Sequence, residues 1–233
     1  MTISSVNVGT KYENAGNTTG TATPTLPGGG GAPAAGDLII AQYCCRNAGV
    51  TFTTPTDFTL ARAFTGATYP AGRLCYKIAV GGDANPASDW SGGAANATVV
   101  AQVVVFKSTV GFHATTPLPD IPANWDAGVG GDIGPVTGMT PSAGADGVVI
   151  FAGIHDDVVP TALGGSWTPV YQSGSALGTD GGVICEWQAW TSGAIANTSW
   201  AVAGSPNWSG IMVSIQEVVV ASTVKPLAAL GVG

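Results

Sequence analysis

Charged residues are scarce in this sequence, and basic residues are missing from most of its second half. Asp, Glu, Lys and Arg together make up 9% of the 233 residues. Residues 1–110 hold six basic and five acidic residues, whereas residues 111–220 hold no basic residue and nine acidic ones. A basic patch that binds nucleic acid needs clustered Lys and Arg. The charge pattern therefore predicts that nucleic acid is not a partner.

Long apolar runs and a secretory signal are also missing. A helix that crosses a membrane needs about 18–20 apolar residues in a row, and the sequence contains no such run. The first ten residues, MTISSVNVGT, lack the basic and apolar regions of a signal peptide. We expect a chain made in the cytoplasm, with no membrane partner.

Cysteine is rare, and its four positions do not have the spacing of a metal site. Cys44 and Cys45 are adjacent, whereas Cys75 and Cys185 lie inside apolar stretches. Buried thiols in a reducing compartment are the interpretation that we favour. The alternative is a disulfide that joins Cys75 to Cys44 or to Cys45.

Residues typical of a catalytic centre are equally scarce. The chain has two histidines, His113 and His155, and no Ser or Cys in a nucleophile-elbow sequence. The sharpest polar cluster is His155-Asp156-Asp157, which we interpret as a solvated loop, with a hard-cation site as the alternative. A carboxylate pair for glycoside cleavage is defined by a distance, which sequence does not give. We expect no catalytic, metal-binding or cofactor-binding residue, and hence a protein that is not an enzyme.

Glycine, proline and β-branched residues are abundant, and this composition favours strands joined by turns. The chain has 35 Gly and 15 Pro, and no amphipathic helix with caps is evident. Apolar stretches such as Leu38–Arg46, Arg73–Val80 and Ala97–Lys107 are separated by Gly-rich turns. The pattern predicts an all-β protein, either a sandwich or a barrel.

One stretch of the sequence occurs twice. GRLCYKIAVGGDANPASDW, residues 72–90, matches GVICEWQAWTSGAIANTSW, residues 182–200, with Cys75 on Cys185 and Trp90 on Trp200. The same constant offset places Leu38-Ile39-Ile40 on Val148-Val149-Ile150, and a one-residue slip places Phe58 on Trp167. The sequence therefore predicts two internal repeats of about six strands each. We expect them to form one sandwich, with two separate domains as the alternative.

The repeat divides the chain into four parts. Residues 1–110 form the first β repeat, and residues 136–220 form the second. Between them, residues 111–135 are rich in proline and glycine and predict an irregular connection. Residues 221–233 form an apolar tail, in which Pro226 is incompatible with a central strand. We expect Val224, Leu227 and Leu230 of this tail to dock on a neighbouring chain; the alternative is that the tail packs on its own domain.

Three segments of the first repeat resemble a domain of tailed-bacteriophage structural proteins. Gly36-Asp37-Leu38-Ile39-Ile40-Ala41 is similar to the family's "GDLLIA" strand, Thr54-Pro55 with Phe58-Thr59-Leu60 to its "PAGWTL" segment, and Leu74-Cys75-Tyr76-Lys77-Ile78-Ala79 to its "YYKVA" segment. Asp57-Phe58 replaces the usual Gly-Trp, although Ser166-Trp167 restores the tryptophan in the second repeat. The resemblance implies a jelly-roll-like β-sandwich exposed on virions, without catalytic residues.

These observations lead to an expected function. We expect a non-enzymatic virion structural protein, made in the host cytoplasm, that contacts a major capsid or tail protein and forms homo-oligomers. A head-decoration protein fits better than a tail fibre, since the sequence shows no fibre shaft. The alternative is a glycan-binding module of a tail fibre or tail tip that recognises a host surface glycan. Tryptophans stack on sugars in such modules, but Trp90 and Trp200 recur in the repeat, which favours the core.

Overall fold

The structure, a computed structural model, describes residues 3–15, 17–65, 69–94, 97–155, 160–175 and 180–218. It is an all-β sandwich. The strands of the first half are β1 (Ile3–Val8), β2 (Tyr12–Ala15), β3 (Thr19–Ala22), β4 (Leu38–Cys45), β5 (Thr51–Phe52), β6 (Thr59–Phe64), β7 (Ala71–Ile78), β8 (Ser88–Ser91) and β9 (Thr98–Ser108). Those that follow are β10 (Asp126–Val129), β11 (Ile133–Val136), β12 (Gly147–Ile154), β13 (Thr168–Ser175), β14 (Gly181–Ala189), β15 (Thr198–Trp200) and β16 (Asn207–Ile215). A 3₁₀ turn, Gly29–Gly31, lies in the glycine-rich loop.

Two antiparallel sheets form the centre of the molecule. The first has the order β1-β9-β4-β7-β6, with β2 also paired to β9, and the second has the order β10-β16-β12-β14-β13. Their facing sides share one apolar cluster, to which Leu38, Ile40 and Val104 contribute from the first sheet and Val149, Phe151 and Val213 from the second. Each half of the chain therefore supplies one sheet, and the two halves share a single core.

A smaller sheet covers the outer face of each central sheet. Strands β3, β8 and β5 lie over the first, and strands β11 and β15 lie over the second. Trp90 on β8 and Trp200 on β15 are buried beneath these covers. The central strands β4 and β12 are consequently buried on both faces, which explains why their sequences are apolar throughout rather than alternating.

Strand pairing corresponds closely between the two sheets, but not at the constant offset that the sequence predicted. Leu38 belongs to the core between the sheets, whereas Val148 packs under the second cover, so the two do not correspond. The first pairs of the strands, Leu38 with Phe106 and Gly147 with Ile215, align Leu38 with Gly147 instead. The register also shifts at the same place in both sheets, after Leu60 and after Pro169. The two sheets thus share one pairing pattern, whereas the number of residues in the chain between the paired strands differs.

The predicted equivalence of Cys75 and Cys185 is wrong. The register shift follows Leu60, the partner of Cys75, in the first sheet and Pro169, the partner of Glu186, in the second, so Cys75 corresponds to Glu186. Cys185 belongs to the core between the sheets, whereas the partner of Cys75, Ala41, packs under the outer cover. Neighbouring residues of a strand face opposite sides, so an error of one position exchanges the two faces. Superposition of the two halves as duplicated units stays a prediction.

Two segments predicted to be irregular contain strands. Strand β2 overlaps Glu13-Asn14-Ala15-Gly16-Asn17, a polar stretch that the sequence predicts to be a turn. Strand β10 lies inside the predicted 111–135 connection, and β11 begins within it. Strand β10 pairs with β16 and belongs to the second central sheet. The connection between the two halves therefore ends before Asp126, and the second half begins earlier than residue 136.

Candidate functional site

The predicted docking residues, Val224, Leu227 and Leu230, lie outside the described residues, as do Asp156 and Asp157. The described chain ends at Val218, whose amide donates to the carbonyl of Gly111 at 2.9 Å. Other surfaces must therefore be considered as candidates for attachment to a partner.

An apolar groove of about 270 Å³ lies where β1 of the first sheet meets β13 of the second. Its lining consists of Val6, Val8, Thr168, Pro169, Val170 and Trp187. Each of these two strands has only one neighbouring strand among the described residues, β9 for β1 and β14 for β13. The groove is thus bordered by two sheet edges, where backbone groups are free to pair with another chain. We call it the edge groove.

Local sequence explains why the edge groove is apolar and open. Val8 is 37% exposed, although it lies on a strand that continues the core. The ring of Trp187 packs edge-on against Phe106 with the centroids 6.0 Å apart, which holds it at the floor. Pro169 has no N–H, and Val170 is the extra residue of a bulge, so β13 is irregular at this point.

The tryptophans lie mainly in the core, as their positions in the repeat indicated. Trp90, Trp125, Trp200 and Trp208 are buried. Trp167 and Trp190 pack partly buried against the core beneath the second cover, whereas Trp187 packs against the core between the sheets. The described tryptophans therefore do not form one exposed platform for a sugar.

All four cysteines are free and buried, which confirms the favoured interpretation, and neither of the alternative disulfides is present. Burial raises the pKa of the Cys45 thiol to about 11 and that of the Cys75 thiol to about 12. Burial likewise raises the pKa of Cys44 and of Cys185. These thiols are protonated at neutral pH, which is unfavourable for nucleophilic or metal chemistry.

The two histidines lie in separate hydrogen-bonded settings. His155 accepts a hydrogen bond from Nε of Arg46 at Nε2, with a distance of 2.7 Å, and so ties the end of β12 to the end of β4. The Nδ1 atom of His113 accepts from the amide of Thr116 at 3.1 Å. The contact of His155 joins two strand ends, whereas the contact of His113 stays within its own loop, where the hydroxyl of Thr116 also lies 2.9 Å from Nδ1.

The carboxylate of Asp120 accepts hydrogen bonds from two other segments of the chain. Its Oδ2 accepts from the hydroxyl of Ser214 at 2.6 Å and from the amide of Ser142 at 2.7 Å, and the hydroxyl of Ser142 donates to Oδ1. Burial opposes ionisation of Asp120, but these hydrogen bonds outweigh it and lower the pKa. Asp120 thereby fastens the loop after Pro117 to β16.

Within the described part of the chain, no three His, Cys, Asp or Glu side chains are grouped as metal ligands. No helix there has the length and apolar character required to span a membrane. No family model, curated protein or solved structure matches this chain.

Sequence reasoning missed the edge groove because its lining comes from strands in different halves of the chain. The alternation of Val6 and Val8 on β1 was visible in the sequence. Their position beside β13, however, depends on how the two sheets stack, and no local pattern encodes that.

Proposed function

We propose that the chain is a non-enzymatic structural protein of a bacteriophage virion, a capsid decoration protein or another component of the virion surface. It attaches to a capsid or tail protein and acts mechanically, by bridging virion subunits or projecting from them.

The observation that carries this proposal is the position of the three segments that resemble phage structural proteins. They correspond to β4, β6 and β7, which are neighbours in the order β4-β7-β6. Their residues brace the fold: Thr59 of β6 pairs with Tyr76 of β7, and the amide of Ala79 donates to the carbonyl of Asp37 at 2.8 Å. The resembling residues thus act together as a framework, the role that the resemblance implies.

The edge groove supports attachment to another protein. Apolar side chains at its floor would lose contact with water on docking, and each fully buried aliphatic side chain contributes roughly 1.5–3 kcal/mol. The free edges of β1 and β13 supply backbone donors and acceptors for an extended segment of the partner. We therefore propose that an extended apolar segment of a capsid or tail protein occupies the edge groove.

Localisation on virions tests the proposed function. Purified particles of the parent phage are labelled with antibodies against the chain and imaged by electron microscopy. Label on heads supports decoration, and label on tail tips supports the adhesion alternative. Particles that carry no label, from a preparation in which the chain is expressed, contradict a virion role.

Co-sedimentation with particles that lack the protein tests the edge groove. Val8→Glu places a charge in the groove and is expected to lower the bound fraction at least tenfold. Val80→Glu is the matched control, because Val80 is 73% exposed and lies outside the groove. Equal binding of the two variants would exclude the edge groove as the attachment site, without affecting the localisation result.

A further inference from the structure

A second cleft, of about 260 Å³, lies on the outer side of the first central sheet. Its principal lining residues are Thr56, Asp57, Phe58, Lys77, Asn85 and Pro86. They come from the turn before β6, the end of β7 and the loop that follows β7. These segments meet because β6 and β7 are paired, with Thr59 opposite Tyr76. We call this the Phe58 cleft.

One wall of the Phe58 cleft is a fixed ammonium group. Nζ of Lys77 lies 2.7 Å from Oδ1 of Asp83 and 5.6 Å from the centre of the Phe58 ring. The other oxygen of Asp83 accepts from the amides of Val80 and Gly81, each at 3.1 Å, so the carboxylate itself is held in place. An ammonium has three N–H donors, and its ion pair with Asp83 leaves donors for a ligand.

Asn85 and Asp57 supply the other polar groups. Oδ1 of Asn85 accepts from the amide of Leu26 at 2.9 Å, which orients the side-chain amide and leaves its NH₂ group as the donor available to a ligand. Asp57 has a positive φ of 64°, which is uncommon for a residue other than glycine, and its exposed carboxylate is an acceptor. The cleft therefore combines an acceptor and two kinds of donor around an aromatic ring.

We propose that the Phe58 cleft binds a single neutral hexopyranose unit of a glycan. Each sugar hydroxyl both donates and accepts, which matches a carboxylate facing an amide and an ammonium. A pyranose also carries apolar C–H groups, which suit contact with the part of the partly buried Phe58 ring that the Lys77 ammonium leaves uncovered. Ligand pockets for drug-sized molecules begin at roughly 300 Å³, so this cleft suits one ring rather than an oligosaccharide.

Charge argues for a neutral sugar. Lys77 is neutralised by Asp83, and Asp57 adds a negative charge at the cleft, so an anionic sugar or a phosphate would be repelled. This inference does not rest on the virion location of the chain, and the two are tested separately.

The test is titration of the ¹⁵N-labelled full chain with the methyl glycosides of glucose, galactose, mannose and N-acetylglucosamine, followed by NMR. We expect at least one of them to shift the amide signals of Phe58, Lys77 and Asn85 saturably, with a millimolar Kd. Absence of saturable shifts with every sugar, or saturation confined to residues outside the cleft, would overturn the proposal.

Two conservative variants locate the binding. Asn85→Asp keeps the acceptor for the Leu26 amide but replaces the donor to the sugar, and Asp57→Asn removes the carboxylate while tolerating the same φ. We expect each to weaken binding at least tenfold with an unchanged Tm. Asp180→Asn is the matched control, because Asp180 has a φ of 59° but lies outside the cleft, and it should bind like the wild type. Wild-type affinity in both cleft variants would refute the assignment.

Discussion

Replacing Tyr171 with phenylalanine removes one hydroxyl from the contact between the two central sheets. That hydroxyl donates to Oε1 of Gln42 at 2.7 Å, and Nε2 of Gln42 donates to the carbonyl of Ala152 at 2.9 Å. Gln42 belongs to the first sheet, whereas Tyr171 and Ala152 belong to the second. The two hydrogen bonds therefore cross the core that both halves of the chain share.

The expected loss follows from burial. Gln42 has 0% exposure and Tyr171 has 7%, so water does not readily replace the missing hydroxyl. An acceptor left buried without its partner costs about 1–3 kcal/mol of unfolding free energy. For a domain of this size, each kcal/mol lowers Tm by about 2–4 °C. Tyr171→Phe is therefore expected to lower Tm by roughly 2–12 °C.

A double-mutant cycle measured by urea unfolding separates this bond from other effects. Gln42→Leu alone loses the bonds to both Tyr171 and Ala152, and the loss at Ala152 is common to the double variant, so it cancels in the coupling energy. We expect a coupling energy of about 1 kcal/mol or more between the two sites. Tyr76→Phe is the control, since Tyr76 is a tyrosine packed against the same core that is not the partner of Gln42. A coupling energy indistinguishable from zero would refute a hydrogen bond that joins the sheets.

Three further predictions concern stability and reactivity. The four thiols are expected to resist alkylation at pH 8 in the folded chain and to react fully in urea, as mass spectrometry would show, because burial raises their pKa values; modification of a thiol without unfolding would contradict this. Gly153→Ala is expected to lower the free energy of urea unfolding by about 1–3 kcal/mol, since the new methyl carbon would lie 2.6 Å from Sγ of Cys44. Adding Cys44→Ala should restore part of that loss. If Gly153→Ala costs as much in the Cys44→Ala background as in the wild type, this clash is excluded. Because the pKa of Asp120 is lowered in the folded chain, its ionised carboxylate stabilises the fold fully above the ordinary pKa of 3.8, and this stabilisation is lost as the pH falls through the pKa of the folded state. Asp120→Asn should therefore lower the unfolding free energy at pH 7 and make the loss of stability between pH 4 and 2 less steep. An unchanged acid unfolding profile would contradict that role.

The long central strands were predictable because burial on both faces leaves an unmistakable sequence. The apolar stretch Leu38–Arg46 became β4, Leu38–Cys45, and the stretch Ala97–Lys107 became β9, Thr98–Ser108. Such strands have few polar residues at any position, so their sequence does not depend on knowing which face is covered. The short strands β2, β10 and β11 were missed because their pairing is determined by the longer strands beside them.

The sequence similarity between the two halves was recognisable, but the residue-level correspondence of their strands was not. Strands in one sheet keep their pairing register, while loops between them tolerate insertions, so the offset between the halves varies along the chain. At Leu38, which corresponds to Gly147, the offset between the halves is one residue shorter than the constant offset that the sequence predicted. At Cys75, which corresponds to Glu186, the offset is one residue longer. The predicted constant offset has a value between these two, so it matches residues of the central strands that face opposite sides of their sheets. The cysteine shared at that constant offset misled the alignment.

Neither surface proposed for binding was predictable from local pattern. The edge groove joins β1 to β13, and the Phe58 cleft joins the turn before β6 to the loop after β7. The tryptophans were the sugar-binding candidates visible in the sequence, but their pattern favoured the core, and the structure places four of them there. The pairing of β6 with β7 was the one signal available for the cleft, since it brings Phe58 and Lys77 side by side.

The two surfaces lie at opposite edges of the first central sheet, and this arrangement bears on how they work together. The edge groove adjoins β1, and the Phe58 cleft adjoins β6 and β7, at the other end of the order β1-β9-β4-β7-β6. Neighbouring strands are about 4.8 Å apart, so β1 and β6 are separated by roughly 19 Å. A partner bound along β1 would not cover a sugar bound near β6. A chain attached to a particle through the edge groove would therefore keep the Phe58 cleft accessible, and sugar affinity should be the same for the free and the attached chain.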